Sequence, residues 1–496
     1  NVRVVRKVGD SKRVDRVTFQ VVDDKSGSRN GIYVAPDGKD AGEGSVSDPV
    51  ATITEAANRA NPGDTIYLRG GVYRNSQFGT ALEGRVDSSY HVGRITTSGE
   101  AGAPITLRPH GNEFVKIQSD MAGLLFRHVS HWVIRDLELE GNAQNIDIND
   151  VMKLWWRDGR DVAHLNGRGL QIQKSFNITI KNCVIHDWPG AGVGNNYGSG
   201  SQVIGSAIYN NGWWSTAGTH GVSNSKLQDN SDHSAEQASQ VVHTIHGNLI
   251  YGNQSSVISH VFSKGATTLE IDEGNGLHLQ NNAGLYTGSY SVRNNLLLFN
   301  GKAGLGLNTI NGGTIANNSF YMNAQAVNTG ELALQTSTPE RVARNLFHPR
   351  ADRRTLKNSE VTHAGVARNY TVAASDADRL PDSMKQVPAV FTSPESLNFT
   401  PADRINSKQG VSAAALTHLN ELMRVYGLQP SFASTLVDDD YVHGLKHRII
   451  DSWPHPDSAG GQKAGYKLVD KDSGFTYRYS TRHCFPNKPK QGCGLN

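Results

Sequence analysis

A short phrase of residues returns several times along the chain, and it restricts the possible folds more than any other feature. The phrase reads hydrophobic-x-x-Asn-apolar-apolar-apolar-x-Asn, with an early copy at Ile134–Gly141. Its first polar anchor falls at six aligned positions: Asn182, Ser206, Asn248, Asn295, Asn318 and Asn345. Intervals of 24, 23 and 27 residues fit single coils of a repeat, while intervals of 42 and 47 fit coils with insertions.

Short apolar strands separated by Asn/Gly turns, once per coil, are typical of a solenoid. Crossovers between parallel strands are nearly always right-handed, so the pattern predicts an all-β fold, a right-handed parallel β-helix. Asparagine suits the bends because its amide both donates and accepts hydrogen bonds, and copies stacked at the strand spacing can bond along the column. The alternative is that each asparagine is an independent turn residue.

The pattern divides the chain into three parts. Residues 1–30 form a charged flanking segment, residues 31–410 form the β-helix, and residues 411–496 form a C-terminal extension that begins with a helix. Insertions interrupt the β-helix at 142–166, 227–240 and 254–273. A helix between Thr52 and Ala60 is placed to cover the open end of the solenoid, where unpaired strand edges invite aggregation.

Composition excludes several classes of protein. The 49 basic and 46 acidic side chains leave a formal charge of +3, with no basic stripe for a nucleic acid. No apolar stretch is long enough to span a membrane. The sequence starts at Asn1, so either a signal peptide has been removed or a fragment boundary lies there. A disulfide between Cys484 and Cys493 would fit an exported protein, whereas Cys183 fits a buried thiol. We expect a monomer that is secreted or periplasmic.

A second strand recurs in each coil, and its copies align on a glycine. Alternation along this strand directs every second residue outward. The alignment predicts three outward columns: Arg168, His220 and Asn275 before the strand; Gln171, Ser223 and His278 on it; and Lys174, Tyr197 and Lys226 after it. Two insertions flank these columns, and one of them carries Lys264, Asp272 and Glu273. A solenoid face bordered by loops suits an extended polymer; the alternative is that the outward residues are merely solvated.

Two tryptophans, Trp213 and Trp214, lie just before the His220 strand. They could stack on sugar rings, or they could cover the edge of a coil. Both interpretations stay open at this point.

Several motifs resemble those of the right-handed parallel β-helix polysaccharide lyases and their epimerase relatives. The carrying segments are Ile32–Gly38 (IYVAPDG), Pro49–Ile53 (PVATI) and Pro62–Tyr73 (PGDTIYLRGGVY). The stretch from Asn211 to Ser223, followed by Asp272–Leu277 (DEGNGL), is similar to a subset that includes alginate lyases. The resemblance covers roughly residues 31–410.

For that family the implied reaction is β-elimination at a uronic acid of an acidic polysaccharide such as alginate. Such an enzyme needs a neutralised C6 carboxylate, a base at C5 and an acid at O4. The resemblance suggests Lys226 or His220 as the base and Tyr197 as the acid. Arg168 and Lys264 would bind carboxylates, and His278 would be an alternative base or a subsite contact, beside the substrate contacts expected of Gln171, Ser223, Trp213 and Trp214.

Calcium is the metal that this chemistry could use, and Asp272 and Glu273 are its candidate ligands, with two solvated acids as the alternative. No organic cofactor is expected. Three rival functions remain on the same fold: a uronate C5-epimerase, a glycoside hydrolase with two carboxylates, and a non-catalytic carbohydrate-binding solenoid.

Overall fold

We describe the protein from a computed structural model. It describes residues 4–8, 11–15, 31–75, 90–146, 151, 163–255, 273–327, 329–351, 353–357, 366–372, 380, 384–426 and 428. By its internal contacts the chain forms two units, residues 1–30 and 31–496. In the first unit the strands Val4–Val8 and Ser11–Asp15 pair antiparallel. The proposed disulfide between Cys484 and Cys493 lies outside the described residues.

The second unit is a right-handed parallel β-helix, as the repeat predicts. Each coil contributes one strand to each of three long parallel sheets. The first eleven-stranded sheet contains Ile32–Val34, Thr65–Leu68, Ile105–Pro109, Ser130–Arg135, Phe176–Lys181, Gln202–Ile204, Val242–His246, Ser289–Arg293, Thr314–Ala316, Arg341–Ala343 and Val366–Ala367. The second contains Gly71–Tyr73, Val115–Gln118, Glu138–Glu140, Val184–His186, Ala207–Tyr209, Leu249–Tyr251, Leu296–Leu298, Ser319–Tyr321, Leu346–His348, Asn369–Thr371 and Met384–Gln386.

The third sheet has nine strands, and it carries the outward columns. It contains His91–Ile95, Ala122–Arg127, Leu170–Gln173, Val193–Asn196, Val222–Ser225, Leu277–Gln280, Leu305–Asn308, Gly330–Gln335 and Arg354–Lys357. Inward residues of all three sheets meet in one core that runs along the solenoid, with Leu170, Val193, Val222 and Leu277 stacked as one of its columns. Within it Cys183 is buried and is a free thiol, as predicted.

Two helices pack against this solenoid. The helix Ile53–Arg59 begins at Thr52, whose side chain accepts a hydrogen bond from the Glu55 amide, and it buries Ile53, Ala56 and Ala57. The helix Ala413–Val425 buries Leu416, Leu419 and Met423 against the second eleven-stranded sheet. The remaining elements are the helix Ala235–Ser239, the 3-10 turns Ala143–Asn145, Ala163–Asn166 and Pro394–Ser396, and the antiparallel pair Phe391–Ser393 and Asn398–Pro401.

A ladder of buried asparagine amides links the coils at the bend between the two eleven-stranded sheets. At each step the backbone N–H and the side-chain Nδ2 of one asparagine donate to Oδ1 of the next, at 2.9–3.0 Å. The ladder contains Asn248, Asn295, Asn318, Asn345 and Asn369. The predicted column is therefore confirmed from Asn248 onward.

The predicted anchor at Asn182 is wrong by one residue. Ile180 pairs with Val203, which places Cys183 beside Ser206, and the Cys183 amide donates to Ser206 Oγ. Asn182 has a positive φ of 53° and precedes the column. Asparagine tolerates this left-handed conformation better than most residues, so the same residue type serves two neighbouring positions.

Candidate functional site

One outward row crosses the nine-stranded sheet and brings distant residues together. The strand register pairs Gln171 with Gly194, Gly194 with Ser223, Ser223 with His278 and His278 with Gly306. Neighbouring strands lie about 4.8 Å apart, so side chains of this row are within reach of one polymer. The register confirms the alignment of Gln171, Ser223 and His278 that the sequence predicts. Gln171 also contacts His91, whose Nε2 lies 3.2 Å from Gln171 Oε1.

The two glycines of the row make room for side chains from the positions just before the strand. A Cβ on Gly194 would come 2.5 Å from Arg168 Cδ and 2.7 Å from its Nη1, so the Arg168 side chain lies across Gly194. In the same way Asn275 lies over Gly306. Burial lowers the pKa of Arg168. When the amide oxygen of Asn196 faces Arg168, it accepts a 2.9 Å hydrogen bond from Arg168 Nη1. The row therefore presents a guanidinium between Gln171 and Ser223.

The third outward column follows the strand ends. Lys174, Tyr197 and Lys226 all adopt a positive φ, between 46° and 60°, which turns the chain at the same point of successive coils. Lys226 Nζ donates a 2.9 Å hydrogen bond to Tyr197 Oη and lies 5.2 Å from the centre of that ring. Because Lys226 follows Ser223 by three residues, its backbone lies about 10 Å along the strand direction from the backbone of the row. The structure thus brings the side chains of Tyr197 and Lys226 into contact at the strand ends.

The histidines form a cluster of their own. His220 Nε2 lies 3.0 Å from Glu273 Oε2 and contacts His278 Nδ1 at very short range. Its other ring nitrogen, Nδ1, accepts a 3.1 Å hydrogen bond from the Asn275 backbone N–H. His220 is only 4 % exposed. Both ring nitrogens are engaged within the protein, which corrects the expectation that His220 takes a proton from a substrate; His278 is the more exposed member.

Burial shapes the protonation of this cluster. It raises the pKa of Glu273, an effect that the charge of Lys302 opposes. It lowers the pKa of His278 well below the ordinary value. The Glu273 side chain also packs against Gly218, where a Cβ would come 2.8 Å from Glu273 Cγ.

Glu273 was expected to bind calcium together with Asp272, which lies outside the described residues. The ligand atoms of His220, Glu273 and His278 lie within 4.8 Å of one another. This set offers two imidazole nitrogens and one carboxylate, whereas calcium takes about six to eight oxygen ligands. The donors around Glu273 in the described part of the chain therefore do not fit calcium.

The two tryptophans do not face the groove. Trp213 is 1 % exposed and donates from Nε1 to the Gly252 carbonyl at 3.0 Å. Trp214 is 4 % exposed and donates from Nε1 to the Ala143 carbonyl at 2.7 Å. Stacking on a sugar needs an uncovered ring face. The expectation that they contact substrate is corrected in favour of its alternative, that they cover the coil edge.

A second group of acids and histidine lies on the second eleven-stranded sheet. Lys116 Nζ lies 2.8 Å from Glu138 Oε1 and 2.7 Å from Glu140 Oε2, so the ammonium occupies the place between the two carboxylates. Burial alone would lower the pKa of His186, but hydrogen bonds to Asp187 and Glu138 outweigh it and raise that pKa to about 9. The group is an internally paired network in which Lys116 and His186 are the cations that offset the charge of the acids.

Of the other predicted site residues, Lys264 lies outside the described part of the chain. Sequence reasoning missed the roles of Gly194 and Gly306, over which the side chains of Arg168 and Asn275 lie. The available signal was their position in the outward row: a residue without a side chain leaves a gap in a row of polar groups. It also missed Lys302, whose charge acts on Glu273 and His278.

The comparisons with known proteins identify relatives of this β-helix. Residues 32–339 match a family described as Pel9A-like, right handed beta helix region. The chain is 30 % identical over 137 residues to pectate lyase PEL9 of Emericella nidulans, an alignment covering 24 % of this chain and 30 % of that enzyme. It spans less than a third of the length of the curated relatives it matches.

Two solved structures are also similar. One is a crystal structure of pectate lyase Pel9A, with 14 % identity, 77 % of this chain and 90 % of that chain covered, and a TM-score of 0.38. The other is a rhamnogalacturonan lyase, with 14 % identity, 79 % and 98 % covered, and a TM-score of 0.41. No helix in the described residues has the length and apolar character needed to cross a membrane.

Proposed function

Since the chain belongs to the Pel9A-like right-handed β-helix family, we propose that it is a polysaccharide lyase that cleaves a uronic-acid polymer by β-elimination. The observation that carries the proposal is the hydrogen-bonded pair of Lys226 and Tyr197 on the same face as the Arg168 guanidinium. A base, an acid and a cation for the carboxylate are the three groups that the reaction needs. The name of the fungal relative, a pectate lyase, supports an acidic polymer as substrate.

The reaction breaks two bonds and forms one double bond. A base removes the proton from C5, the electron pair forms the C4–C5 double bond, and the C4–O4 bond breaks as O4 takes up a proton. Negative charge builds on the C6 carboxylate as the C5 proton leaves, so a cation or hydrogen-bond donor at that carboxylate lowers the barrier. Arg168 occupies the row at Gly194, and its planar guanidinium can donate two parallel hydrogen bonds to a carboxylate.

Lys226 and Tyr197 supply the proton transfers in this proposal. Lys226 takes the C5 proton, and Tyr197 gives its hydroxyl proton to O4. Lys226 is then an ammonium and Tyr197 a phenolate, and their direct 2.9 Å contact allows the proton to pass from Lys226 Nζ to Tyr197 Oη, which restores both groups for the next turnover. The positive φ of both residues holds the two side chains at the same edge of consecutive coils.

The outward rows also weigh against one rival. A glycoside hydrolase needs two carboxyl groups flanking the bond that is cleaved. No Asp or Glu occurs in the four central strands of the nine-stranded sheet, which are Leu170–Gln173, Val193–Asn196, Val222–Ser225 and Leu277–Gln280. Among the described residues, Glu273 is the one carboxylate that contacts the histidine cluster. An epimerase shares the proton removal and differs only in returning a proton to the opposite face.

We also propose that the protein acts outside the cytoplasm, in a secreted or periplasmic location, because a polymer substrate is found there. Alginate is one candidate polymer. Any calcium would bind outside the His220 cluster, whose nitrogens do not suit it. Its role is tested by chelation.

The test is product analysis on polygalacturonate, alginate and glucuronan, each with chelator and with added calcium. We expect one polymer to yield fragments ending in a 4,5-unsaturated uronate, followed by ultraviolet absorbance and mass spectrometry. New reducing ends without unsaturation would identify a hydrolase, and an altered uronate ratio without chain cleavage would identify an epimerase. Binding to a polymer with no product at all would identify a carbohydrate-binding solenoid.

A further inference from the structure

The His220 cluster contains a hydrogen-bond pattern that determines where its protons lie. The Asn275 backbone N–H points at His220 Nδ1 from 3.1 Å, and the Asn275 side-chain Nδ2 lies 3.3 Å from the same atom. A ring nitrogen that accepts an N–H bond carries no proton. His220 is therefore neutral, and its single ring proton is on Nε2.

The proton on His220 Nε2 has two acceptors. Glu273 Oε2 lies 3.0 Å away, and His278 Nδ1 is also in contact with that nitrogen. A proton on His278 Nδ1 would face the proton of His220, so His278 Nδ1 acts as an acceptor. In a neutral imidazole one nitrogen carries the proton and the other does not, which places the His278 proton on Nε2.

The position of His278 makes this proton available to a ligand. His278 stands in the outward row beside Ser223 and is partly exposed. No described residue forms a hydrogen bond with His278 Nε2. Burial lowers the pKa of His278 well below its ordinary value, so the ring is uncharged at neutral pH.

We propose that His278 presents its Nε2–H to the groove as an uncharged hydrogen-bond donor for a carboxylate of the polymer, and that His220 and Asn275 are positioning residues that hold this tautomer. The inference rests on the proposed lyase function. In that reaction the donor would strengthen its bond as charge builds on the C6 carboxylate. In the outward row His278 stands two strands from Gly194, where Arg168 lies, so it binds its carboxylate separately from Arg168 and leaves the transfer of the C5 proton to Lys226.

The same pattern opposes a metal ion at this cluster. Two imidazoles and a carboxylate are a common ligand set for transition metals. A histidine bound to a metal through Nε2 normally donates the proton on Nδ1 to an oxygen. Here Nδ1 of His220 faces an N–H donor instead.

The first experiment measures the tautomers directly. The full chain is labelled with ¹⁵N-histidine, and ring nitrogens are correlated with ring protons by NMR at neutral pH; His278→Gln and His220→Phe assign the two rings. We expect the proton of both rings on Nε2, and in His220→Phe we expect His278 to populate both tautomers. A proton on His278 Nδ1, or loss of both ring signals on titration with Zn²⁺, overturns the inference.

The second experiment measures the function of the donor. Glutamine places a side-chain N–H near the site of a histidine Nε2–H but cannot relay a proton as imidazole does. We expect His278→Gln to keep cleavage within about ten-fold of the parent and His278→Ala to lose about 10²-fold, mainly in kcat. Equal losses in both variants would mean that His278 is an acid or base and would overturn the inference. His348→Gln, on the second eleven-stranded sheet, is the matched control.

The two proposals can fail separately. If no polymer is cleaved while the predicted tautomers are observed, the lyase function fails and the protonation of the cluster stands. If a polymer is cleaved while His278 carries its proton on Nδ1, the inference fails and the lyase function stands.

Discussion

Arg168 lies across Gly194, so closely that a Cβ on Gly194 would come 2.5 Å from Arg168 Cδ. The two residues are neighbours only because their coils stack, with Gln171 beside Gly194 in the strand register. The glycine leaves a gap in the outward row, and the arginine fills it. The absence of a side chain at Gly194 thus determines the position of the Arg168 guanidinium, and a substitution at Gly194 should act by displacing Arg168.

Gly194→Ala should displace Arg168 while leaving the β-helix intact. The atoms in the way belong to a flexible side chain, so the arginine moves instead of the backbone. We expect the cleavage rate to fall by about 10²-fold, because small misplacements of a substrate-binding group are costly. Circular dichroism and the thermal midpoint should change little. Gly70→Ala, between the strands Thr65–Leu68 and Gly71–Tyr73, is the control; an active Gly194→Ala enzyme would show that Arg168 does not bind the substrate.

Tyr197→Phe should lower kcat by about 10²-fold with a small change in KM, since it removes the hydroxyl that protonates O4 and little else. Lys226→Met should lower kcat at least as far. Tyr33→Phe, in the first eleven-stranded sheet, removes a hydroxyl far from the groove and should have no effect. Steady-state kinetics on the cleaved polymer measures all three. Full activity in Tyr197→Phe would remove the tyrosine from the mechanism.

Asn295→Leu should destabilise the fold by about 3 kcal/mol. Its Oδ1 accepts from both the backbone and the side chain of Asn248, and its Nδ2 donates to the Ile245 carbonyl at 3.0 Å. Leucine removes the acceptor of the Asn248 backbone N–H and of one Asn248 Nδ2 hydrogen, as well as the side-chain donor to the Ile245 carbonyl, while Asn248 Nδ2 keeps its 2.8 Å bond to the Val203 carbonyl. Asn58→Ala, on the exposed face of the first helix, should stay within about 0.5 kcal/mol of the parent. Denaturant unfolding measures both, and equal stabilities would contradict the ladder's contribution.

His243 should make the protein sensitive to acid. Its ring is fully buried, both ring nitrogens lack a hydrogen-bond partner among the described residues, and burial lowers its pKa to about 4. The unfolded chain binds a proton at this histidine below pH 6.5, so the folded state loses stability as the pH falls from 6.5 toward 4. The full loss corresponds to about 3 kcal/mol.

His243→Leu removes this acid sensitivity in our prediction. The variant should gain stability relative to the parent as the pH is lowered from about 8 to about 5. Unfolding free energies of both proteins across this range measure the difference. A difference that is independent of pH would show that His243 does not titrate with folding.

Glu331 should have the opposite pH dependence. A second ladder of buried amides contains Asn211, Asn253, Asn300 and Asn323. Glu331 ends it, because its carboxyl accepts from the Asn323 backbone N–H at 3.0 Å, and burial raises the pKa of Glu331 to about 8 despite that bond. The folded state binds a proton that the unfolded chain releases above pH 4.5, so stability falls as the pH rises from 4.5 through 8.

Glu331→Gln should abolish that fall. The amide oxygen of glutamine can accept both Asn323 donors, as the asparagine oxygens do at the preceding step between Asn300 and Asn323. The variant should therefore become more stable than the parent as the pH rises from about 5 to about 9. Parallel unfolding curves for the two proteins over this range would mean that the carboxyl stays protonated or solvated.

The fold could be predicted from the sequence because the sequence is repetitive. Each coil must bury its apolar strand on the next, so the spacing of Asn248, Asn295, Asn318 and Asn345 predicts the stacking and the column of amides before any coordinates are known. The alternation of apolar and polar residues likewise predicts which side of Gln171, Ser223 and His278 faces outward. Periodic patterns of this kind are local, and a sequence records them directly.

The chemistry of the face needed the tertiary structure, because it depends on contacts between residues of different coils. The sequence proposes His220 as a base and leaves Trp213 open between sugar stacking and covering a coil edge. Only their packing shows that the indole is enclosed and that both His220 nitrogens are engaged. The place of Arg168 over Gly194, and the meeting of Glu273 with the two histidines across an insertion, follow from how coils and loops pack in three dimensions. A residue's type determines what it can do; its neighbours across the coils determine which of those functions remains open to it.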